Sequence, residues 1–441
     1  LAKIAFVSLG CAKNLVDTEQ MMSALETAGH EILPDIDNTD IVVINTCGFI
    51  ESAKTEAIEE ILEVAKLKAE GRVGAIIVAG CLVERYREEL MTELPEVDAI
   101  VGCGAFLEIG QAVDAVLAKE KKAVFGDLNA PIKGQSRMLT TPPYMAYLKV
   151  AEGCDNHCAY CVIPSLRGKY RSRTVEDVLD EAEGLAEYGV KELIVIAQDT
   201  SRYGTDLYGK RMLPELLKKL ADIKGIEWIR LHYLYPDEID DELIDTIASL
   251  PKVLHYFDIP IQHVSDHLLE SMNRRGDGKY LGELFKKLRT KIPDCVIRTS
   301  IIVGLPGETK DDFVKLCDFL KKHKLERAGV FAYSAEEGTL AAEMPDQVPE
   351  ELKQRRLEIV TDLQSRVMND YNERCMGKTL RVLCEGFDRY AECWFGRTYA
   401  DSPDVDGKVF FSSSQKIREG TFVDVVIEDT LDGDLVGSIV E

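Results

Sequence analysis

The most specific chemistry in the chain lies near its middle, in Gly153-Cys154-Asp155-Asn156-His157-Cys158-Ala159-Tyr160-Cys161. Cys154, Cys158 and Cys161 form a C-x3-C-x2-C spacing directly after an apolar run that ends at Val150. Three thiolates this close on one loop can wrap one face of a cubane iron–sulfur cluster and leave the fourth iron without a protein thiolate. A structural zinc site wants four ligands, and His157, inside the motif, is badly placed to join its neighbours. The open iron is then free to be chelated by the amino and carboxylate groups of a small molecule.

A second set is scattered. Cys11 follows Leu9-Gly10, Cys47 lies in Asn45-Thr46-Cys47-Gly48, and Cys81 follows Ala79-Gly80. Each comes directly after a short apolar run of strand character. In a parallel sheet these three positions share the edge outside the carboxyl ends of the strands, so separations of 36 and 34 residues collapse into one spatial cluster. The neighbouring glycines are expected to let the backbone approach a bulky inorganic group. Three thiolates without a fourth again suggest a site-differentiated iron–sulfur cluster. The alternative of three buried apolar cysteines requires three coincidences at strand ends.

The elements that position these groups follow from periodicity. Residues 1–130 alternate strands (Lys3–Leu9, Ile41–Asn45, Ala75–Ala79, Ala99–Val101) with helices (to about Ala28, Glu51–Glu70, Val83–Leu90, Phe106–Lys119), the pattern of βαβ units in an open doubly wound parallel sheet. Residues 131–143, with Pro131, Gly134, Ser136, Pro142 and Pro143, read as a linker. Residues 144–374 hold six further βα units, with strands at Tyr147–Val150, Glu192–Ala197, Trp228–His232, Tyr256–Ile259, Val296–Ile302 and Arg327–Phe331. They predict a full or partial (β/α) barrel with its active groups just past the strand ends. Residues 375–441 turn to short alternating strands (Thr379–Glu385, Glu392–Thr398, Lys408–Phe411, Phe422–Glu428), a small all-β domain.

Composition bounds the function. The 441 residues are too many for one compact domain, and 46% apolar with 29% charged residues excludes low-complexity and collagen-like chains. No apolar run reaches the roughly 18 residues of a membrane span, and no basic-then-apolar leader opens the chain. It begins at Leu1 rather than Met, which implies a few trimmed residues. Twelve cysteines without a secretory signal point to a reducing, cytoplasmic setting and to metal or redox chemistry rather than disulfides. A net charge of −24 disfavours a general nucleic-acid surface and favours basic partners.

The central loop, with Tyr160 before its third cysteine, resembles the signature of the radical S-adenosylmethionine (SAM) enzymes. Three scattered cysteines, a radical SAM barrel and a final domain that looks like a TRAM domain together resemble the methylthiotransferase family over the whole chain. The resemblance implies two 4Fe-4S clusters, on Cys154, Cys158 and Cys161 and on Cys11, Cys47 and Cys81. It implies SAM across the strand ends, near Gln198 and Asp199, with Arg298 pairing its carboxylate and Gly304, in Val303-Gly304-Leu305-Pro306-Gly307-Glu308, at its adenine. The barrel cluster would cleave SAM to a 5′-deoxyadenosyl radical that abstracts a hydrogen, and the carbon radical would capture methylated sulfur from the second cluster. One SAM supplies the methyl group and another the radical; an electron donor and a sulfur donor are required.

Two branches of the family compete. One modifies an adenosine of tRNA; the other, the RimO type, modifies the β-carbon of an aspartate in small-subunit ribosomal protein twelve (S-12). Ser8-Leu9-Gly10-Cys11-Ala12-Lys13-Asn14-Leu15-Val16-Asp17, the run from Ile163 to Arg173 and the run from Asp199 to Tyr208 look like the second. Residues 375–441 carry 7 basic and 13 acidic side chains, which suits a basic protein substrate better than RNA. A non-enzymatic iron–sulfur scaffold is the rival outside the family; it leaves Gln198 and Arg298 without a purpose.

The basic run Arg167, Lys169, Arg171 and Arg173 is either a solvated turn or an offset to cluster and SAM charge. Cys103, Cys295, Cys317, Cys375, Cys384 and Cys393 have no ligand-like spacing and read as idle thiols, with zinc at Cys384 and Cys393 a weak option. His263 reads as a hydrogen-bonded structural residue, and Phe410 and Phe411 as core.

Overall fold

The structure is a computed structural model, and it describes residues 1–440. Six strands form the first sheet: β1 (Lys3–Ser8), β2 (Glu31–Leu33), β3 (Thr39–Thr46), β4 (Val73–Gly80), β5 (Ala99–Val101) and β6 (Lys122–Val124). Their order is β2-β1-β3-β4-β5-β6, all parallel. Near-continuous apolar runs such as Ile41–Ile44 and Ala75–Ala79 are buried because helices cover both faces. The order reverses between β1 and β3, and such a switch point opens a crevice at the carboxyl edge. β2 and β6, the two edge strands, escape sequence reading because each opens on an exposed charge and keeps only two apolar residues. The helix expected over Val83–Leu90 is two, Cys81–Tyr86 and Glu88–Glu93, broken at Arg87 with φ +49°. The one expected from Phe106 starts as a 3-10 turn, Cys103–Glu108, before the α-helix Ile109–Leu117.

The second sheet takes β7 (Met145–Lys149), β10 (Glu192–Ile196), β11 (Trp228–Leu231), β12 (Val253–Asp258), β13 (Val296–Val303) and β14 (Arg327–Ala332), parallel and in chain order. It stays open, so the barrel is partial. Between β7 and β10 a small antiparallel pair, β8 (Ala151–Glu152) with β9 (Arg171–Ser172), brackets the cysteine loop. Alternation sorts the strands: Ile297, Ile301 and Val303 pack under the helices, whereas Val296 joins Ile194, Ile196, Trp228 and Tyr256 on the concave face.

The last part is a closed barrel of β15 (Thr379–Asp388), β16 (Cys393–Arg397), β17 (Val409–Ser412), β18 (Phe422–Leu431) and β19 (Asp434–Ile439). β19, not expected from the sequence, closes it by pairing parallel to β17 and antiparallel to β18. This barrel seals part of the concave face. Buried Glu192 accepts from Arg230 at 2.8 Å and Arg397 at 2.7 Å; Arg327 meets Asp401 at 2.7 Å; Tyr256 donates to Asp406 at 2.6 Å. The two arginines hold the Glu192 carboxyl at about 2 against the opposing effect of burial. Among the described residues no helix is long and apolar enough to cross a membrane.

Candidate active site

The loop carrying Cys154, Cys158 and Cys161 leaves β8 through Gly153, whose φ is +79° and where a Cβ would lie 2.1 Å from the Lys169 carbonyl oxygen. Only glycine fits there. The Cys154 amide donates to Gly168 O at 3.1 Å and that of Cys161 to Cys158 O at 2.9 Å. His157 sits at φ +48°, and its carbonyl accepts from Asn273 Nδ2 at 2.9 Å. Sequence reading missed buried Arg274, which reaches Cys158 Sγ at 3.7 Å and donates to the Tyr160 hydroxyl at 3.1 Å. Tyr160 thus buttresses the loop. No spacing links Arg274 to the motif, because the contact spans 116 positions along the chain.

The scattered cysteines are drawn together by their loops. Asn14 Nδ2 donates to Leu9 O at 3.2 Å and Thr46 O at 2.9 Å; Thr46 Oγ1 donates to Ala79 O at 2.6 Å. The glycines act differently from expectation. A Cβ on Gly10 would stand 2.7 Å from Cys47 Cβ, one on Gly48 2.9 Å from Leu82 backbone, and one on Gly80 2.3 Å from Asn45 Oδ1. They let the three loops approach one another. Cys103, read as idle, also belongs here: its Sγ donates to Cys81 Sγ at 3.9 Å.

Burial pushes the thiols of Cys47 and Cys154 up to about 11 and that of Cys161 to about 12. Cys81 moves the other way, to about 6, because the Cys103 thiol donates to it and the Arg167 guanidinium stands near.

The scattered set reaches the central loop's segment across the interface of the two parallel sheets. Cys81 and Cys103 pack with Val162 and Leu166 of the segment just past Cys161. Arg167, ending the helix Ile163–Arg167, donates to Asp17 at 2.6 Å, to Glu152 at 3.2 Å and to Asn14 Oδ1. Lys149 bonds Asp17 and, at 3.0 Å, Glu152. Despite burial, Lys149 and Arg167 hold Glu152 well below the usual carboxylate range. Arg167 and Arg173 are therefore buried ion-pair members, Arg173 with Asp177 and Glu181, and not part of a solvated turn. Asp17, Lys149 and Glu152 carried no signal beyond being charges inside or beside apolar runs.

The residues expected around SAM separate. Gln198 donates to Glu152 at 2.5 Å, and its Oε1 is buried with no partner, an acceptor suited to an ammonium group. Asp199 bolts the cysteine loop: it accepts from Asn156 at 2.9 Å and Ser201 at 2.6 Å, while its carbonyl accepts from Tyr170. Arg298 is occupied by Asp258 at 3.0 Å and Asp406 at 3.7 Å, so it ties the central sheet to the C-terminal barrel. Gly304, at φ +77°, closes its turn on Glu308, and a Cβ there would press on Lys353 at 2.4 Å. His263 is fully buried, its Nδ1 accepting from the Ser265 amide at 3.0 Å. Phe411 is core; Phe410 is half-buried.

Among the described residues no three Cys, His, Asp or Glu groups close on a single metal ion. A cubane is larger than one ion, and its ligands stand further apart. Two all-thiol donor sets of three fit that group. Five of the six cysteines are only partly buried.

Family models match in the same order. A model described only as an uncharacterized protein family matches residues 3–102, the radical SAM superfamily matches 148–320, and the TRAM domain matches 376–440. The ribosomal protein uS12 methylthiotransferase RimO of Pelotomaculum thermopropionicum is 50% identical over 99% of both chains. The chain belongs to the RimO family of methylthiotransferases. The Lachnoclostridium phytofermentans family member is 47% identical, again over 99% of both chains. Among solved structures, a radical S-adenosylmethionine methyltransferase, TsrM of Kitasatospora setae, superposes with a TM-score of 0.56 at 15% identity, covering 74% of this chain and 72% of its own. That likeness concerns the fold.

Proposed function

We propose that this chain adds a methylthio group to the β-carbon of an aspartate in small-subunit ribosomal protein twelve. The single observation that carries the reading is identity near 50% along the whole chain to proteins named for that reaction, over a site where Cys81 packs against the segment just past Cys161. Cys154, Cys158 and Cys161 would hold one 4Fe-4S cluster, and Cys11, Cys47 and Cys81 the other. When bound, the clusters and SAM supply one-electron cleavage and a methylated sulfur.

The chain's own residues do the rest. Gln198 Oε1 offers an acceptor to the SAM ammonium, Arg274 and Tyr160 brace one loop, and Arg167 couples that loop to the other triad. Homolytic hydrogen removal needs positioning more than a general base. The relatives reported above carry the protein-modifying name, which disfavours the tRNA reading. The same proposal divides the chain at 1–130, 131–143, 144–374 and 375–441, places it in the cytoplasm and requires external electron and sulfur donors.

The test is anaerobic. The reconstituted chain receives SAM, a reductant and either a peptide bearing the aspartate or a tRNA anticodon stem. A methylthio mass gain on the peptide supports the reading. The same gain on RNA moves the chain to the other branch, and absence of deoxyadenosine from both mixtures leaves the scaffold.

A further inference from the structure

Lys13 stands two residues past Cys11, on the helix Ala12–Thr27, and its side chain crosses into the central sheet's territory. Its Nζ lies over the ring of Tyr233, 3.4 Å from the centroid. Tyr233 follows β11 and therefore sits at the carboxyl edge, in the mouth of the partial barrel. Lys13 is only 7% exposed.

A buried ammonium normally has a counter-ion. The other buried lysines do: Lys149 has Asp17 and Glu152, Lys54 has Glu51 and Glu336, Lys353 has Glu350. Among the described residues no carboxylate oxygen comes within 4.0 Å of Lys13 Nζ, and the acidic groups that act on it are Tyr233, Cys11 and, without direct contact, Glu152. The aromatic face supplies only part of what a carboxylate would.

Its platform is held under strain. Tyr233 has φ +61°, a left-handed backbone that a bulky residue rarely adopts. Its amide donates to Asp258 Oδ2 at 3.0 Å and its carbonyl accepts from Thr200 at 2.9 Å. Such conformations persist where the surroundings enforce them, and they cluster at ligand clamps. An ammonium without a contacting carboxylate, held over a strained ring two residues past Cys11, is placed to meet an incoming anion.

We propose that Lys13 binds the side-chain carboxylate of the substrate aspartate and so holds its β-carbon between the triads. This rests on the function proposed above and adds what selects an acidic residue. A neutral side chain, or a nucleobase, would leave the ammonium without a contacting carboxylate.

The test uses the full reconstituted chain and two peptides, one with the target aspartate and one with asparagine in its place. Methylthiolation kcat/KM is compared for the unaltered chain, Lys13→Met and Lys13→Arg at equal iron per chain, with SAM affinity measured alongside. The unaltered chain is expected to prefer the aspartate peptide about 100-fold, the order of discrimination that follows from leaving one buried polar group unsatisfied. Lys13→Met should bring that preference below about threefold by slowing the aspartate peptide, and Lys13→Arg should restore most of it. A preference retained in Lys13→Met overturns the proposal. So does an equal loss on both peptides with weakened SAM binding, which would assign Lys13 to the SAM carboxylate. Modification of neither peptide by the unaltered chain overturns the function itself, and this inference with it.

Discussion

Cys154, Cys158 and Cys161 lie on a single loop, whereas Cys11, Cys47 and Cys81 arrive on three loops that follow three different strands. The first triad is nearly assembled by covalent connection, and closing so short a loop loses little entropy. The second exists only when β1, β3 and β4 are in register and their loops touch through Gly10, Gly48 and Gly80. The same donor set thus has two sensitivities. The local site answers to what bends its loop, and the assembled site to whatever loosens a sheet edge or the interface behind it.

The largest expected effect separates the sites. Alanine at Cys11, Cys47 or Cys81 should remove about four irons per chain and leave the other cluster's absorbance; alanine at Cys154, Cys158 or Cys161 should do the reverse. Either change should abolish methylthiolation. Loss of about eight irons from one substitution would show that the sites do not assemble independently.

Arg167 joins the two. Arg167→Met leaves Asp17 and Glu152 sharing Lys149 alone in a buried setting, and chemical unfolding should show a loss of about 3–5 kcal/mol. Although Arg167 follows Cys161 in sequence, iron should fall chiefly at the Cys11, Cys47 and Cys81 site, because the guanidinium favours the Cys81 thiolate. An equal fall at both sites would erase the distinction.

Glycine substitutions sharpen it. Gly10→Ala, at φ +89° and against Cys47, should cost about 1–2 kcal/mol and reduce iron only at the assembled site. Gly153→Ala, at φ +79°, should reduce it only at the local one.

An effect confined to the acid limb concerns the sheet beneath both. Burial lowers the pKa of His232 to about 3, opposed by Asp258 and reinforced by Arg230, Arg298 and Lys13, and its Nε2 is bonded with Ser402 Oγ at 2.9 Å. An unfolded histidine titrates near 6.5, so the unfolded chain binds the extra proton between these values. The stability from neutral His232 is complete above about 6.5 and drains as pH falls toward 3, by about 1.4 kcal/mol per pH unit. His232→Gln should flatten the acid limb of the stability curve by that slope. An unchanged slope would mean that His232 stays protonated or exposed in the folded chain.

Strand runs such as Val296–Ile302 were legible because burial on a pleated sheet leaves period-two or continuous apolar runs, and the two triads because strand ends share an edge. Edge strands β2 and β6 were not, since each opens on an exposed charge and keeps only two apolar residues, whereas the equally short β5 is apolar and buried throughout. The closing strand β19 was hidden because Gly437 and Ser438 dilute its apolar pattern. Gln198 stands where the sequence led one to look, whereas Asp199, Arg298 and Gly304 are engaged with protein partners that no spacing announces.

By itself, the sequence determined the chemistry on offer: six thiols in two sets of three, three successive architectures and an acidic surface. Those follow from residue type, local spacing and hydrophobic period, which are properties of neighbours in the chain. Only the tertiary structure decided that Cys81 packs beside Val162, that Cys103 stands against Cys81, that Arg167 bridges to Asp17, and that Lys13 is buried over Tyr233 without a contacting carboxylate. Each is a contact of a few ångströms between residues 22 to 220 positions apart, and at that range packing rather than sequence periodicity sets who meets whom.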